Sequence, residues 1–216
     1  MHHEPASAIL APVKSEVATT FALAGSFFVE LVDRIPDAGW GATGLGEWDL
    51  RSLVGHTSRS LITVITYLQQ PAAAEDVPSA AVYYQLSAQL IAANPAAVTE
   101  RGRQAGIALG DDPPAAVRRL YDEAVDAVDA VDDDPVITTI AGGMRLSRYL
   151  PTRTFELTVH SLDIAAATGL DVAPPAPALD DALHLAADAA LLRGDGARLL
   201  LALTGRSTLS AGYSVV

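Results

Sequence analysis

The chain has 216 residues, enough for one domain with a sizeable core, and its 14 Lys plus Arg against 26 Asp plus Glu leave a net charge of −12. That field repels phosphate backbones and anionic headgroups, which argues against nucleic-acid and membrane partners. No cysteine is present, so disulfides, thiolate metal sites and Cys nucleophiles are excluded and only His, Asp and Glu remain as metal ligands.

Neither a secretory leader nor an apolar run of about 18 residues occurs, and a cytoplasmic protein is expected. The Ala- and Leu-rich composition favours an all-α fold. Ile9, Val13, Val17, Phe21, Ala24, Phe28, Leu31 and Ile35 recur at helical steps, predicting one long helix from about Ser7 to Ile35, where Pro36 ends it. Gly39 to Gly46 reads as a turn-rich connector. Asp49 then caps a second helix with apolar Leu50, Leu53, Val54, Leu61, Val64, Ile65 and Leu68, closed by Pro71. A loop from Pro71 to Pro78 precedes helices at about 80–93 and 97–108. Asp112 before Pro113 and Pro114 starts a further helix to about Val131. Val136 to Ile140, Gly142-Gly143 and Met144 to Tyr149 alternate as one small β-hairpin. A helix over about 151–168 ends at Gly169, the Pro174 to Pro177 run makes a linker, and the last helical segment, Leu179 to about Leu203, breaks near Gly194. We assign residues 1–206 to a helical bundle and 207–216 to a C-terminal tail.

Gly39, Gly41 and Gly44 match the GxGxxG dinucleotide fingerprint, but a helix precedes them and Val64 stands where the ribose-binding acid belongs, so the match carries no nucleotide site. His2 and His3 are given no weight, and His184, among Leu183, Leu185 and Ala186, reads as a packed or rim imidazole. His160 differs. On its helix Glu156 lies one turn away on the same face, Asp163 falls between them in angle, and Thr152 and Arg153 flank the stripe. Phe155, Val159 and Leu162 border that stripe on one side and Leu157 and Ile164 on the other, while Thr154, Thr158, Ser161 and Ala165 occupy the reverse face. Charged groups hemmed by residues that want burial point to a site, although a Glu/His pair beside an Arg also occurs on ordinary helix surfaces. His56 lies about 120° from the centre of its helix's apolar stripe, a border from which an imidazole reaches a neighbouring helix. Two imidazoles and one carboxylate suit Zn²⁺ or a similar divalent ion with positions left open. Neither a di-iron Glu-x-x-His pair nor an HExxH motif is present. Trp40, Trp48, Tyr83, Tyr84 and Tyr149 are read as core rather than as pocket lining.

The stretch from Trp48 through Leu53 to His56, with Arg153, Glu156, His160 and Asp163 about a hundred residues later, resembles the mycothiol-dependent maleylpyruvate isomerase family within the DinB/YfiT-like metalloenzymes. The resemblance spans roughly 7–206, including the closing Leu203-Thr204-Gly205-Arg206. It implies a DinB-like four-helix bundle with short extra helices, a divalent metal, typically zinc, on His56, Glu156 and His160, and mycothiol or a similar thiol acting on a small electrophilic substrate. Isomerisation and S-transfer are both open outcomes. The best-known isomerase carries a C-terminal α+β domain with an essential arginine, and the roughly ten residues after Arg206 are too few for one. Asp163 is expected to orient a ligand or water, with direct ligation as the other option. Arg153 either binds a substrate or cofactor carboxylate or pairs with Glu156 or Asp163. A non-catalytic metal- or ligand-binding module, its fourth ligand Asp163 or His184, is the alternative, and an exposed apolar stripe on the first helix would indicate a homodimer.

Overall fold

A computed structural model describes residues 13–92 and 95–216. Among the described residues eight α-helices and one hairpin follow each other: α1 (Val13–Val32), α2 (Leu50–Leu68), α3 (Ala80–Ala92), α4 (Pro95–Ala108), α5 (Pro113–Asp129), β1 (Val136–Thr139), β2 (Gly142–Arg145), α6 (Leu146–Thr168), α7 (Ala176–Leu192) and α8 (Gly196–Leu203). Helix α1 packs on α5 and α6, and α2 packs on the same two, which closes a four-helix ring; α4 lies along the outside of α2, and α3 and α7 cover α6. Apolar side chains from all four ring helices fill the centre: Phe21, Phe28 and Leu31 from α1, Leu53 and Leu61 from α2, Val117 and Ala124 from α5, Leu150 and Leu157 from α6. The stripe predicted for the first helix is therefore core, not an exposed face, from Phe21 to Ile35; Ile9 and the start near Ser7 lie outside the described residues.

The caps explain where the helices begin. Asp49 accepts from the Ser52 backbone N–H at 2.8 Å, and Asp112 from that of Ala115 at 3.1 Å, each satisfying a donor with no intrahelical partner. Helix α6 ends at Gly169, whose φ of 68° suits a left-handed cap. No helix among the described residues is long and apolar enough to cross a membrane.

Three sequence expectations need correction. The hairpin turns at Ile140-Ala141, and Gly142 and Gly143 belong to its second strand, opposite Thr139 and Thr138. Gly143 is needed there for close approach, since a Cβ would sit 2.0 Å from the Ala74 carbonyl oxygen. Helix α6 begins at Leu146 rather than near Pro151, so Met144 to Tyr149 is not all strand. Asp134 starts it from outside, accepting from the Ser147 N–H at 2.8 Å and its hydroxyl at 2.7 Å. Pro177, expected in the linker, sits in the first turn of α7, where a missing N–H costs nothing.

Helices α2 and α4 touch backbone to backbone. A Cβ on Gly55 would fall 2.1 Å from the Gly106 nitrogen, and one on Gly106 would fall 2.8 Å from the Arg51 carbonyl oxygen. One turn earlier on α4, Gly102 lies flat against Trp48, whose ring a Cβ would approach to 2.6 Å.

Candidate metal centre

That close crossing puts α4 beside His56, the residue after Gly55, while α6 brings Glu156 and His160 to the same level of the bundle. One ligand atom from each of His56, Glu156 and His160 lies within 4.8 Å of the other two. Glu156 Oε2 is 3.1 Å from His160 Nε2, and the two imidazoles meet edge to face with centroids 5.0 Å apart. Donors on a tetrahedral zinc stand roughly 3.4 Å apart, so small side-chain rotations bring this set onto one ion. The buried Nδ1 of His56 has no hydrogen-bond partner. Two imidazoles and a carboxylate thus fit a divalent cation.

The protonation pattern follows from the surroundings. Burial and the adjacent His160 push His56 down to about 4. Burial also opposes charge on His160, but hydrogen bonds to Asp163 and Glu156 outweigh it and hold that imidazole up at about 9. For Glu156, burial favours the acid, and the His160 hydrogen bond together with the Arg153 charge overcomes it, holding the carboxyl down at about 2. At neutral pH two ligands are therefore ready for a cation, and His160 must give up one proton to become the third.

The supporting groups come from three elements. Asp163 Oδ2 lies 3.0 Å from His160 Nδ1, on the opposite side of the ring from Glu156. The Tyr84 hydroxyl of α3 is 2.8 Å from Glu156 Oε1 and 3.0 Å from the Thr152 carbonyl. Burial and the Glu156 charge raise its pKa well above the usual tyrosine range, so it stays a donor. Trp48 packs its ring 4.4 Å from that of His56 and donates its indole N–H to the Thr99 carbonyl at 2.9 Å.

Arg153 is buried at 8 % exposure. Its guanidinium carbon lies 4.9 Å from the centroid of Tyr149 and 5.5 Å from that of Tyr83, and its Nε donates to Thr152 Oγ1 at 3.0 Å. Glu156 and Asp163 both engage His160, and among the described residues no carboxylate makes an ion pair with Arg153. His184 is apart from all of this, exposed on α7 with its ring against the Asp180 carbonyl.

A pocket of about 480 Å³ opens on His56 and Glu156 and continues past Tyr83, Tyr84 and Arg153 to a mouth with Leu90 and Ile140. Tyr83, Tyr84 and Tyr149 are buried in the core, and Trp40 and Trp48 pack against it, as the sequence predicts; Tyr83 and Tyr84 in addition form part of the pocket wall, Tyr149 stacks on Arg153 and Trp48 on His56. Arg59 and Arg101 also line the pocket and were not singled out. Arg59 had a signal, three residues after His56 on one helix; Arg101 had none, because its place depends on how α4 crosses α2.

A family model described as mycothiol maleylpyruvate isomerase N-terminal domain matches residues 21–165, a span that includes every residue of the cluster. No curated protein and no solved structure matches.

Proposed function

The chain belongs to the mycothiol maleylpyruvate isomerase N-terminal domain family, and from that premise we propose that it is a divalent-metal-dependent enzyme using a mycothiol-like thiol for isomerisation or S-transfer on a small electrophile. The observation that carries this reading is the meeting of His56, Glu156 and His160 at the wall of a substrate-sized pocket. A divalent cation, zinc by the chemistry of the donor set, would be held by these three side chains and would supply the positive charge that favours a thiolate over a thiol at neutral pH.

The chain's own groups prepare that chemistry. Asp163 accepts the Nδ1–H of His160, which directs the Nε2 lone pair toward Glu156 and the cation position. Tyr84 engages Glu156 Oε1 and leaves Oε2 as the oxygen facing His160. Arg153 is proposed to act on the substrate rather than on the ligands. The substrate we propose has an activated double bond that undergoes thiolate addition, rotation and elimination of the same thiolate, or a carbon at which a C–S bond forms as the leaving group departs with its electron pair. A thiol-dependent reaction of this kind suits the cytoplasm.

A closed structural metal site needs a fourth protein ligand. Asp163 is engaged with the far nitrogen of His160 and His184 is exposed on another helix, which favours catalysis over a staple. The test is metal analysis of wild type and His56→Ala after zinc supplementation, followed by a panel of electrophiles with and without thiol. We expect close to one equivalent of metal in wild type, its loss in the folded variant, and thiol-dependent turnover; a folded wild type that takes up no metal ends the proposal.

A further inference from the structure

Tyr83, Tyr84 and Tyr149 are all buried, but their hydroxyls are placed differently. Tyr84 has two acceptors, Glu156 Oε1 at 2.8 Å and the Thr152 carbonyl at 3.0 Å, and Tyr149 donates to Thr63 Oγ1 at 2.8 Å. Both protons are committed to the protein. Tyr83 is only 4 % exposed, yet among the described residues no oxygen accepts from it. Its hydroxyl instead meets a donor, the Arg153 guanidinium, which acts on it both as a nearby charge and as a hydrogen-bond partner. A guanidinium has no acceptor to offer, so it engages the phenol oxygen and leaves the proton without a partner in the protein.

The space beside that hydroxyl is the pocket, which Tyr83 lines together with His56 and Glu156. Helix α3 lays two consecutive tyrosines on successive turns of α6, Tyr84 on Glu156 and Tyr83 on Arg153, three residues earlier. The two rings meet edge to face with centroids 5.7 Å apart, and the guanidinium carbon lies 5.5 Å from the Tyr83 centroid. Burial raises the Tyr83 pKa and outweighs the opposing Arg153 charge. The phenol therefore keeps its proton at neutral pH, while the cation on its oxygen makes the O–H a stronger donor. Buried donors are paired as a rule, and the partner of this one has to come from the pocket.

We infer that Tyr83 is a catalytic residue, its hydroxyl, held and polarised by Arg153, donating a hydrogen bond to the substrate oxygen that becomes negative when sulfur adds. The inference rests on the proposed function for the addition step and goes beyond it in assigning the donor. In that step a C–S bond forms, and the π pair of the double bond moves through the conjugated carbonyl onto its oxygen. The former double bond is then single and rotates. The pair returns, the C–S bond breaks and the same thiolate leaves. Tyr83 keeps its proton throughout, and its hydrogen bond strengthens only while the oxygen carries charge. In this step Arg153 acts through Tyr83, as a positioning residue. Displacement at a carbon bearing a leaving group puts no charge on such an oxygen, so Tyr83 separates the two outcomes left open above.

The test is Tyr83→Phe, which keeps the ring beside Arg153 and removes one hydroxyl. Calorimetry on chelator-treated protein compares 4-nitrophenolate, a stable oxygen anion, with neutral nitrobenzene. Wild type is expected to prefer the phenolate, and the variant to bind it about tenfold more weakly, with nitrobenzene binding and the circular-dichroism spectrum unaltered. The arginines of the pocket remain in the variant, so the difference reports the hydroxyl. In zinc-loaded protein with thiol, isomerisation of dimethyl maleate should lose about a hundredfold in kcat with little change in KM, while substitution of 4-nitrobenzyl chloride is untouched. Equal phenolate binding by wild type and variant, or an equal loss on both electrophiles, overturns the role of Tyr83. The two proposals fail separately. A wild type without metal or turnover, whose phenolate preference is lost in the variant, removes the proposed function and keeps the donor; metal and thiol-dependent turnover, with dimethyl maleate unaffected in the variant, does the reverse.

Discussion

Helix α6 has two faces that solve burial differently. Glu156, His160 and Asp163 form a chain of charges in which each group has a partner. On the reverse face Thr154, Thr158 and Ser161 are more deeply buried, at 1 %, 1 % and 0 % exposure, and their hydroxyls have no hydrogen-bond partner. An unpaired hydroxyl costs a kilocalorie or so and is small enough to let α1 lie close, whereas an unpaired charge costs several times more. Partnering is therefore concentrated where charge is, on the face that carries two of the three candidate metal ligands.

Removing one member of the charged face should have the largest effect. Glu156→Ala leaves His160 with Asp163 alone and removes the carboxylate that acts on Arg153; His160 can shed its proton but Arg153 cannot, so we expect a loss of about 2 kcal/mol in denaturant melts together with loss of bound metal. Tyr84→Phe keeps the ring and removes only the donor to Glu156. Its expected signature is a metal affinity weakened about tenfold in chelator competition, with a loss of about 1 kcal/mol in melts of the metal-free protein, smaller than that of Glu156→Ala.

pH sharpens the contrast further. His160 is held at about 9 in the folded protein against an ordinary 6.5, so in metal-free protein its contribution to stability is complete below pH 6.5 and disappears as the pH rises through 9. Metal affinity should run the other way over the same window, and calorimetry in buffers of different ionisation enthalpy should find one proton released per ion at pH 7. The reverse face gives the smallest effect and the opposite sign. Thr158→Val exchanges an unpartnered hydroxyl for a methyl of the same shape, and melts should show a gain of about 1 kcal/mol with metal binding untouched.

What the sequence made legible was local. Asp49, Asp112 and Gly169 mark helix ends because the groups they satisfy are within three or four residues, and Glu156 and His160 declare themselves by sharing one turn of one helix. The start of α6 was not legible, since its cap is Asp134, thirteen residues upstream across a hairpin. Tyr83 and Tyr84 sit in a helix whose composition is that of any packed segment, and only the docking of α3 on α6 turns one hydroxyl toward Glu156. Arg59 and Arg101 join Arg153 in one pocket through the packing of α2 on both α4 and α6, a fact that no spacing along the chain contains.

Where α2 and α4 cross, the two glycines act as a gauge. Their missing side chains set how far Arg101 and the Trp48 brace stand from His56, so a single methyl at position 55 or 106 would pry apart the opposing walls without altering any group that does chemistry. The bore of the cleft, and with it the girth of molecule admitted, is tuned by two hydrogen atoms.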